Sequence, residues 1–384
     1  MNRGRRHWLH LLASLPGGAC LADLAAQPAV PFPGEVHRHP QADPGYRMSF
    51  PRDFGAHPDF RTEWWYVTGW LEGDRGFQVT FFRVRTAHPG DNPSRFAPTQ
   101  LLFAHAALML PQEGHPLHAQ RAARLGSPQV RFSEQDTDVA IGDWSLTRGG
   151  DDRYRTLIRD AGLTLDLTLA PPGDAGQAIS RPWLQGADGF SRKGPQPEQA
   201  SHYYSRPHLR VDGSVDGRPV RGVAWLDHEW STTVLDPAAA GWDWTGINLD
   251  DASALVAFRI RRRSPDPAAS AGAAPEAASD SDAVWSYCAI RHPDGSVQQV
   301  DAVDFQVLRR WRSPRTGAEY PVSMKLVLAG RSLLLEPLFD DQELDGRAST
   351  GTIYWEGAVR ALEGGNRVGL GYLELTGYHT PLKL

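Results

Sequence analysis

DFRTEWWYVTGWL, Asp59 to Leu71, sets three tryptophans and a tyrosine around one glutamate. A turn-forming stretch, EGDRG, follows at once, and then a second apolar run, GFQVTFFRVRT. Strand, turn, strand is the pattern of a β-hairpin. Successive side chains of a strand face opposite ways. Arg61, Glu63, Trp65, Val67, Gly69 and Leu71 therefore share one face, and Thr62, Trp64, Tyr66, Thr68 and Trp70 the other. Both faces are bulky, so the strand should lie between two packed layers, a barrel interior and something laid over it. Glu63, flanked by indoles, needs a partner if it is buried. Arg61 on its own face and His105 are the candidates, either in a structural ion pair or in a pocket wall.

The same rhythm runs along the chain. Strands are expected at QLLFAHAALML, DVAIGDWSLTR, YRTLIRD and LTLDLTLAP, and as a pair around Asp-Gly turn signals in ASHYYSRPHLRVDGSVDGRPVRGVAWLDHEWS. Further hairpins are expected in GWDWTGINLDDASALVAFRIRRR, VWSYCAIRHPDGSVQQV, VSMKLVLAGRSLLLEPLF and TIYWEGAVRALEGGNRVGLGYLELTGY. The segment from about 171 to 200 reads as loop. SPDPAASAGAAPEAASDSD (264–282) is Ala/Ser/Pro-rich and cannot pack a core, so it reads as a flexible insertion between two strands. No segment sustains a helical period, and 38 glycines with 30 prolines favour many turns. The fold class is all-β, barrel or sandwich, and 384 residues suffice for two such domains. WWYVTGWLEG and YWEGAVRALEGG share an aromatic-glycine flavour that hints at duplication.

A net charge of −5 with mixed signs leaves no basic stripe for nucleic acid. Residues 1–27 combine a basic start (Arg3, Arg5, Arg6), a short apolar run and small residues, the layout of an export signal with a loose twin-arginine flavour. Export places the protein in the periplasm, at the outer membrane or outside the cell. Cys20 stands where a lipoprotein cysteine would, which would attach the chain to a membrane. Cys288 then has no partner, and no disulfide is expected; in WSYCAI it reads as a small buried hydrophobe.

A second dense stretch is VAWLDHEWS, Val223 to Ser231. Alternation puts Trp225, Asp227 and Glu229 on one face and His228 with Trp230 on the other. GWDWTGIN adds Trp242, Asp243 and Trp244, and SHYYSRPHL adds Tyr203 and Tyr204. Ionisable groups among large aromatics are the ingredients of a site with shifted pKa values. GxSxG, HExxH, a phosphate loop and CxxC are all absent from the sequence. His37 and His39 read as a solvated linker pair, and Asp227 with His228 has no marked serine to complete a triad. No metal or cofactor is expected.

FPRDFGAHPDFRTEWWYVTGWL, GFSRKG, YYSRPHL, WLDHEWS, GWDWTGINLDD, RRWRSPRTGAEYPV and GYLELTGY together resemble the lipocalin-like carotenoid 1,2-hydratase (hydroxyneurosporene synthase) superfamily. Within it they resemble an exported bacterial branch labelled "predicted secreted hydrolase". The resemblance, over about 45–384, implies two lipocalin-like domains, 45–228 and 229–384, and an apolar, isoprenoid-like ligand as partner. The superfamily's His-x-Trp element falls on His228 and Trp230, and its acid is a downstream aspartate, for which Asp243 is a candidate. Hydration of a C=C bond needs an acid kept protonated by burial and indoles to stabilise a carbocation. On this expectation Asp227 or Asp243 is the acid and His228 orients water. Trp230, Trp242 and Trp244 then line the cation site, with Glu63, Trp64, Trp65, Tyr66, Tyr203 and Tyr204 as further ligand contacts. The alternatives are a non-enzymatic carrier of an apolar ligand and a hydrolase.

Overall fold

A computed structural model describes residues 39–88, 94, 97–173, 177–263, 283–328 and 330–382. The expected export signal with Cys20, His37, and the insertion at 264–282 lie outside these residues. Residues 39–382, as described, form part of one compact unit.

The protein is all-β. Among the described residues the helical elements are two short 3₁₀ turns, Arg52–Phe54 and Ala178–Ser180. The strands form two antiparallel sheets, one of 13 strands between Thr62 and Thr233 and one of ten between Ala239 and Leu375. The EWWY strand, Thr62–Leu71, lies in the middle of the first sheet. It pairs with Arg75–Arg85 on one side and with the DHEW strand, Arg218–Thr233, on the other. The last five residues of the DHEW strand, Glu229 onward, thus belong to the first sheet, and residues 234–238 carry the chain into the second. There Ala239–Leu249, the GWDW strand, pairs with Ala254–Arg262 and with Asn366–Leu375.

Three large cores hold most of the aromatic load, and a small fourth cluster holds Tyr354 with Ala107, Met109 and Leu344. The first sheet curls almost into a barrel around Phe54, Trp65, Trp144, Tyr204 and Trp230, and the second encloses Tyr320, Met324 and Trp355. A third core lies between the sheets and holds Tyr66, Trp70, Trp225, Trp244, Phe258 and Tyr372. Each fully buried large side chain contributes about 1.5–3 kcal/mol over its exposed state. The two-faced EWWY strand therefore stabilises two layers at once, Trp65 in the first barrel and Tyr66 with Trp70 between the sheets. The stretch 171–200 is not wholly loop: Trp183–Leu184 and Phe190–Arg192 pair with the strand Ala200–Val215.

Candidate functional site

Strand alternation divides the expected site residues among three places. On the EWWY strand, Trp64 and Tyr66 face the second sheet, while Glu63 and Trp65 turn into the first barrel. The register sets Tyr66 beside Asp227, Trp64 beside Glu229 and Trp65 beside His228. Hence Asp227 and Glu229 share the outer face, and His228 and Trp230 the inner one. Tyr203, opposite Glu229, faces out, and Tyr204, opposite His228, faces in.

The inner group is a closed hydrogen-bonded network. Glu63 accepts from Arg83 Nε at 2.7 Å, and His57 Nδ1 and His228 Nε2 each lie 2.9 Å from its Oε1. Arg61 and His105 are therefore not its partners; Arg83, directly opposite Glu63 on the other strand of the hairpin, is. The guanidinium and both imidazoles hold the Glu63 carboxyl well below its ordinary range despite the opposing cost of burial. His57 Nε2 reaches Asp53 at 3.1 Å, and its ring stacks on Trp230 at 3.6 Å. Tyr204 Oη lies 3.1 Å from His228 Nδ1, and burial lowers the His228 pKa. Donor atoms of His57, Glu63 and His228 lie within 4.8 Å of one another, close enough for a metal ion. Each is already engaged, and Arg83 supplies the cation, so the set is complete as it stands. His228, Trp65, Tyr204 and Trp230 thus lie on the other face of the sheet from the outer group, and the expected water-orienting role of His228 beside Asp227 does not fit this placement.

Asp243 goes elsewhere again. Its neighbours Trp242 and Trp244 face the first sheet, so its own side chain faces the opposite way. There it pairs with Arg259 Nε at 2.7 Å and Arg261 Nε at 2.9 Å and accepts from Tyr378 Oη at 3.0 Å. It is an anchored ion-pair member, not a neighbour of Asp227.

The outer group lines a cavity of about 830 Å³ between the sheets, a size suited to a small-molecule ligand. Trp64, Tyr66 and Phe82 come from the first sheet, and Trp242, Trp244 and Phe258 from the second. Exposed Arg61 and Arg263 stand at its rim. Four carboxyl groups line the same cavity, Asp227 and Glu229 from the first sheet and Glu356 and Glu374 from the second. Asp227 is 3% exposed and accepts from Ser205 Oγ at 2.6 Å, Trp225 Nε1 at 2.7 Å and Tyr203 Oη at 2.8 Å. Tyr203 Oη in turn accepts from Trp244 Nε1 at 3.1 Å, a tie across the sheets. Burial outweighs these three neutral donors and, with the nearby charge of Glu229, pushes Asp227 up to about 7. Glu374, cross-strand neighbour of both Trp244 and Glu356, is likewise pushed up to about 7 by burial, with Asp227 and Glu229 adding to the effect. Glu356 is 1% exposed, accepts one bond from Tyr66 Oη, and is raised well above the carboxylate range by burial and by Glu374. Its Oε2 has no hydrogen-bond partner. Glu229 pairs with Lys193 Nζ at 3.0 Å, and that ammonium sits over the Phe258 ring at 4.1 Å.

Of the residues expected at one site, Trp64, Tyr66, Asp227, Trp242 and Trp244 border this cavity and Tyr203 bonds to Asp227, whereas Trp65, Tyr204, His228, Trp230 and Asp243 do not border it; Glu356, Glu374 and Lys193 were not among the expected residues. The available signal for Glu356 was YWEG, the echo of EWWY. At the far end of the cavity His105 Nδ1 lies 2.6 Å from Tyr354 Oη, and its Nε2 lies 2.7 Å from Ser349 Oγ. Ser349 donates to Gln120 Oε1 at 2.6 Å, which leaves the imidazole as donor to the serine rather than its base.

A family profile described as AttH-like matches residues 41–378. A crystal structure assigned as AttH from Nitrosomonas europaea is 46% identical, covers 88% of this chain and 99% of its own, and superposes with a TM-score of 0.77. Kievitone hydratase from Nectria haematococca is 16% identical, with 87% of this chain and 94% of its own covered and a TM-score of 0.60, and so shares the fold. No curated protein matches the chain. These likenesses agree with the resemblance to the lipocalin-like hydratase superfamily, and the extent of the profile match makes the assignment plain: the chain belongs to the AttH-like family.

Proposed function

We propose that this protein adds water across a C=C bond of an apolar small molecule, or catalyses the reverse elimination, in the cavity between its sheets. One observation carries this reading: carboxyl groups that burial keeps protonated, Glu356 above all, stand in a chamber walled by indoles. Protonating an isolated alkene takes an acid that has not already lost its proton at neutral pH. Glu356 accepts a single neutral donor and has a free oxygen, so it is the proton donor. Asp227, held by three donors, is better suited to the anionic form. The proton of Glu356 goes to one alkene carbon, and positive charge develops on the other beside Trp64, Trp242 and Trp244. Water forms the new C–O bond and loses its proton to Asp227. Exchange with solvent returns both carboxyls to their starting state.

The test offers isoprenoid alkenes to the purified protein in H₂¹⁸O and follows incorporation of one labelled oxygen by mass spectrometry. Glu356→Gln and Asp227→Asn should each lower turnover about 10²–10⁴-fold, with ligand retained in the cavity. Turnover that survives both substitutions overturns the assignment. An apolar molecule recovered unchanged, with no label taken up under any condition, identifies a carrier.

A further inference from the structure

Asp227 and Glu229 face Glu356 and Glu374 across the cavity, and of the buried cations on its lining Arg83 is committed to Glu63 and Lys193 to Glu229. With the Arg83–Glu63 pair cancelling, the four carboxylates ionised together exceed the Lys193 ammonium by three charges, an imbalance that a dry chamber does not tolerate. Burial settles it with protons, as the raised pKa values of Asp227, Glu356 and Glu374 record. Protons are one remedy; a ligand cation is the other. Two further observations favour the second. Glu356 lines the cavity at 1% exposure with Oε2 unpartnered, so its bonding capacity is unfilled. Trp64, Trp242 and Trp244 also border the chamber, and indole surfaces attract cations.

We propose that the inter-sheet cavity is a binding site for lipophilic ammonium ions, which bury an apolar chain and set a positive nitrogen among Glu356, Glu374 and the indoles. This concerns what the site binds and stands apart from alkene hydration. Binding of the cation displaces protons from the carboxyl group, so affinity rises with pH. The other charged or ionisable groups on the chamber do not reverse that sign. Rim residues Arg61 and Arg263 stay positive throughout and oppose the cation equally at every pH. Tyr66, Tyr203, Tyr354 and Tyr372 are raised above their ordinary value and stay neutral, Glu63 is held ionised against Arg83, and burial lowers His105 to about 3, so it too is neutral.

The experiment titrates the intact protein with decyltrimethylammonium and with decyldimethylamine N-oxide, a net-neutral ligand of similar shape, both below micelle formation. Tryptophan fluorescence reports affinity, and calorimetry in two buffers of different ionisation enthalpy reports proton release. At pH 8 the ammonium ion should bind about tenfold or more tightly than the N-oxide, with release of protons. At pH 5.5 the ammonium ion itself should bind severalfold more weakly than at pH 8. Glu356→Gln with Glu374→Gln should abolish the preference and keep N-oxide affinity, which also certifies the fold. Equal affinity of the two ligands at pH 8, no binding of the ammonium ion, or a preference untouched in the double variant overturns the proposal. A protein that hydrates a neutral alkene yet shows no such preference defeats this inference alone, and the converse result defeats only the hydration reading.

Discussion

Glu63 and Glu356 are both 1% exposed carboxylic acids that follow or precede a tryptophan, yet their surroundings drive them in opposite directions. Glu63 has the Arg83 guanidinium at 2.7 Å, so its buried charge is matched. Glu356 has the neutral hydroxyl of Tyr66, so burial goes uncompensated and the proton stays. Glu63→Gln strands Arg83 in the first barrel and should cost about 3–5 kcal/mol in urea unfolding. Glu356→Gln replaces an already neutral group by one of the same shape and should cost less than about 1.5 kcal/mol. Equal losses would show that the two sites do not differ as described. Neither partner was legible from the local sequence. Arg83 lies on the adjacent strand and is visible once a hairpin register is drawn, whereas Tyr66 meets Glu356 only because two sheets pack.

At the scale of the element, the DHEW strand shows what alternation can and cannot tell. It separates Asp227 from His228 correctly, since neighbours on a strand face opposite layers. It cannot say which layer is a sealed core and which a cavity. Hairpins at Asp216-Gly217 and in the PDG turn were legible because turn chemistry is local. The strands Leu117–Arg124 and Val303–Arg312 were not. Both are terminal in their sheets, half-exposed, and carry arginines that blur the apolar alternation. GWDWTG hid a steric device as well. A Cβ at Gly246 would stand 2.7 Å from Trp244 Cη2 and 2.9 Å from Trp225 Cε2. Those indoles hold Tyr203 and Asp227 by their N–H groups, so Gly246→Ala should cost about 1–3 kcal/mol and disturb the cavity wall together with the fold. Urea unfolding and tryptophan emission measure the two effects; a change in neither would show that the indoles have room to move.

The whole molecule sums these opposed ionisations into a pH profile. The sheets are tied by bonds from Trp70 Nε1 to Gly371 O at 2.9 Å and from Trp244 to Tyr203, so they should unfold in a single transition. Asp227 and Glu374 are raised to about 7 in the folded state, from ordinary values of 3.8 and 4.5. The folded protein holds those protons longer than the unfolded chain. Their contribution is therefore full below about pH 4 and is lost as pH rises through about 7. Glu63 has the opposite sign: its lowered pKa gives stability that is present above 4.5 and fades as pH falls below that value. Buried His105 and His228, whose pKa values are lowered, join the acid limb as pH falls below about 6.5, so the limbs leave a maximum near pH 6 rather than at neutrality. Calorimetric scans from pH 3 to 8 should show the highest Tm there and a fall of several degrees by pH 8. Asp227→Asn combined with Glu374→Gln should make the alkaline limb shallower, the remainder resting on Glu356, and leave the acid limb in place, because Glu63 is untouched. A wild-type Tm that is level from pH 5 to 8 would mean that the cavity carboxyls titrate normally, and the acid assigned to the hydration step would lose its physical basis.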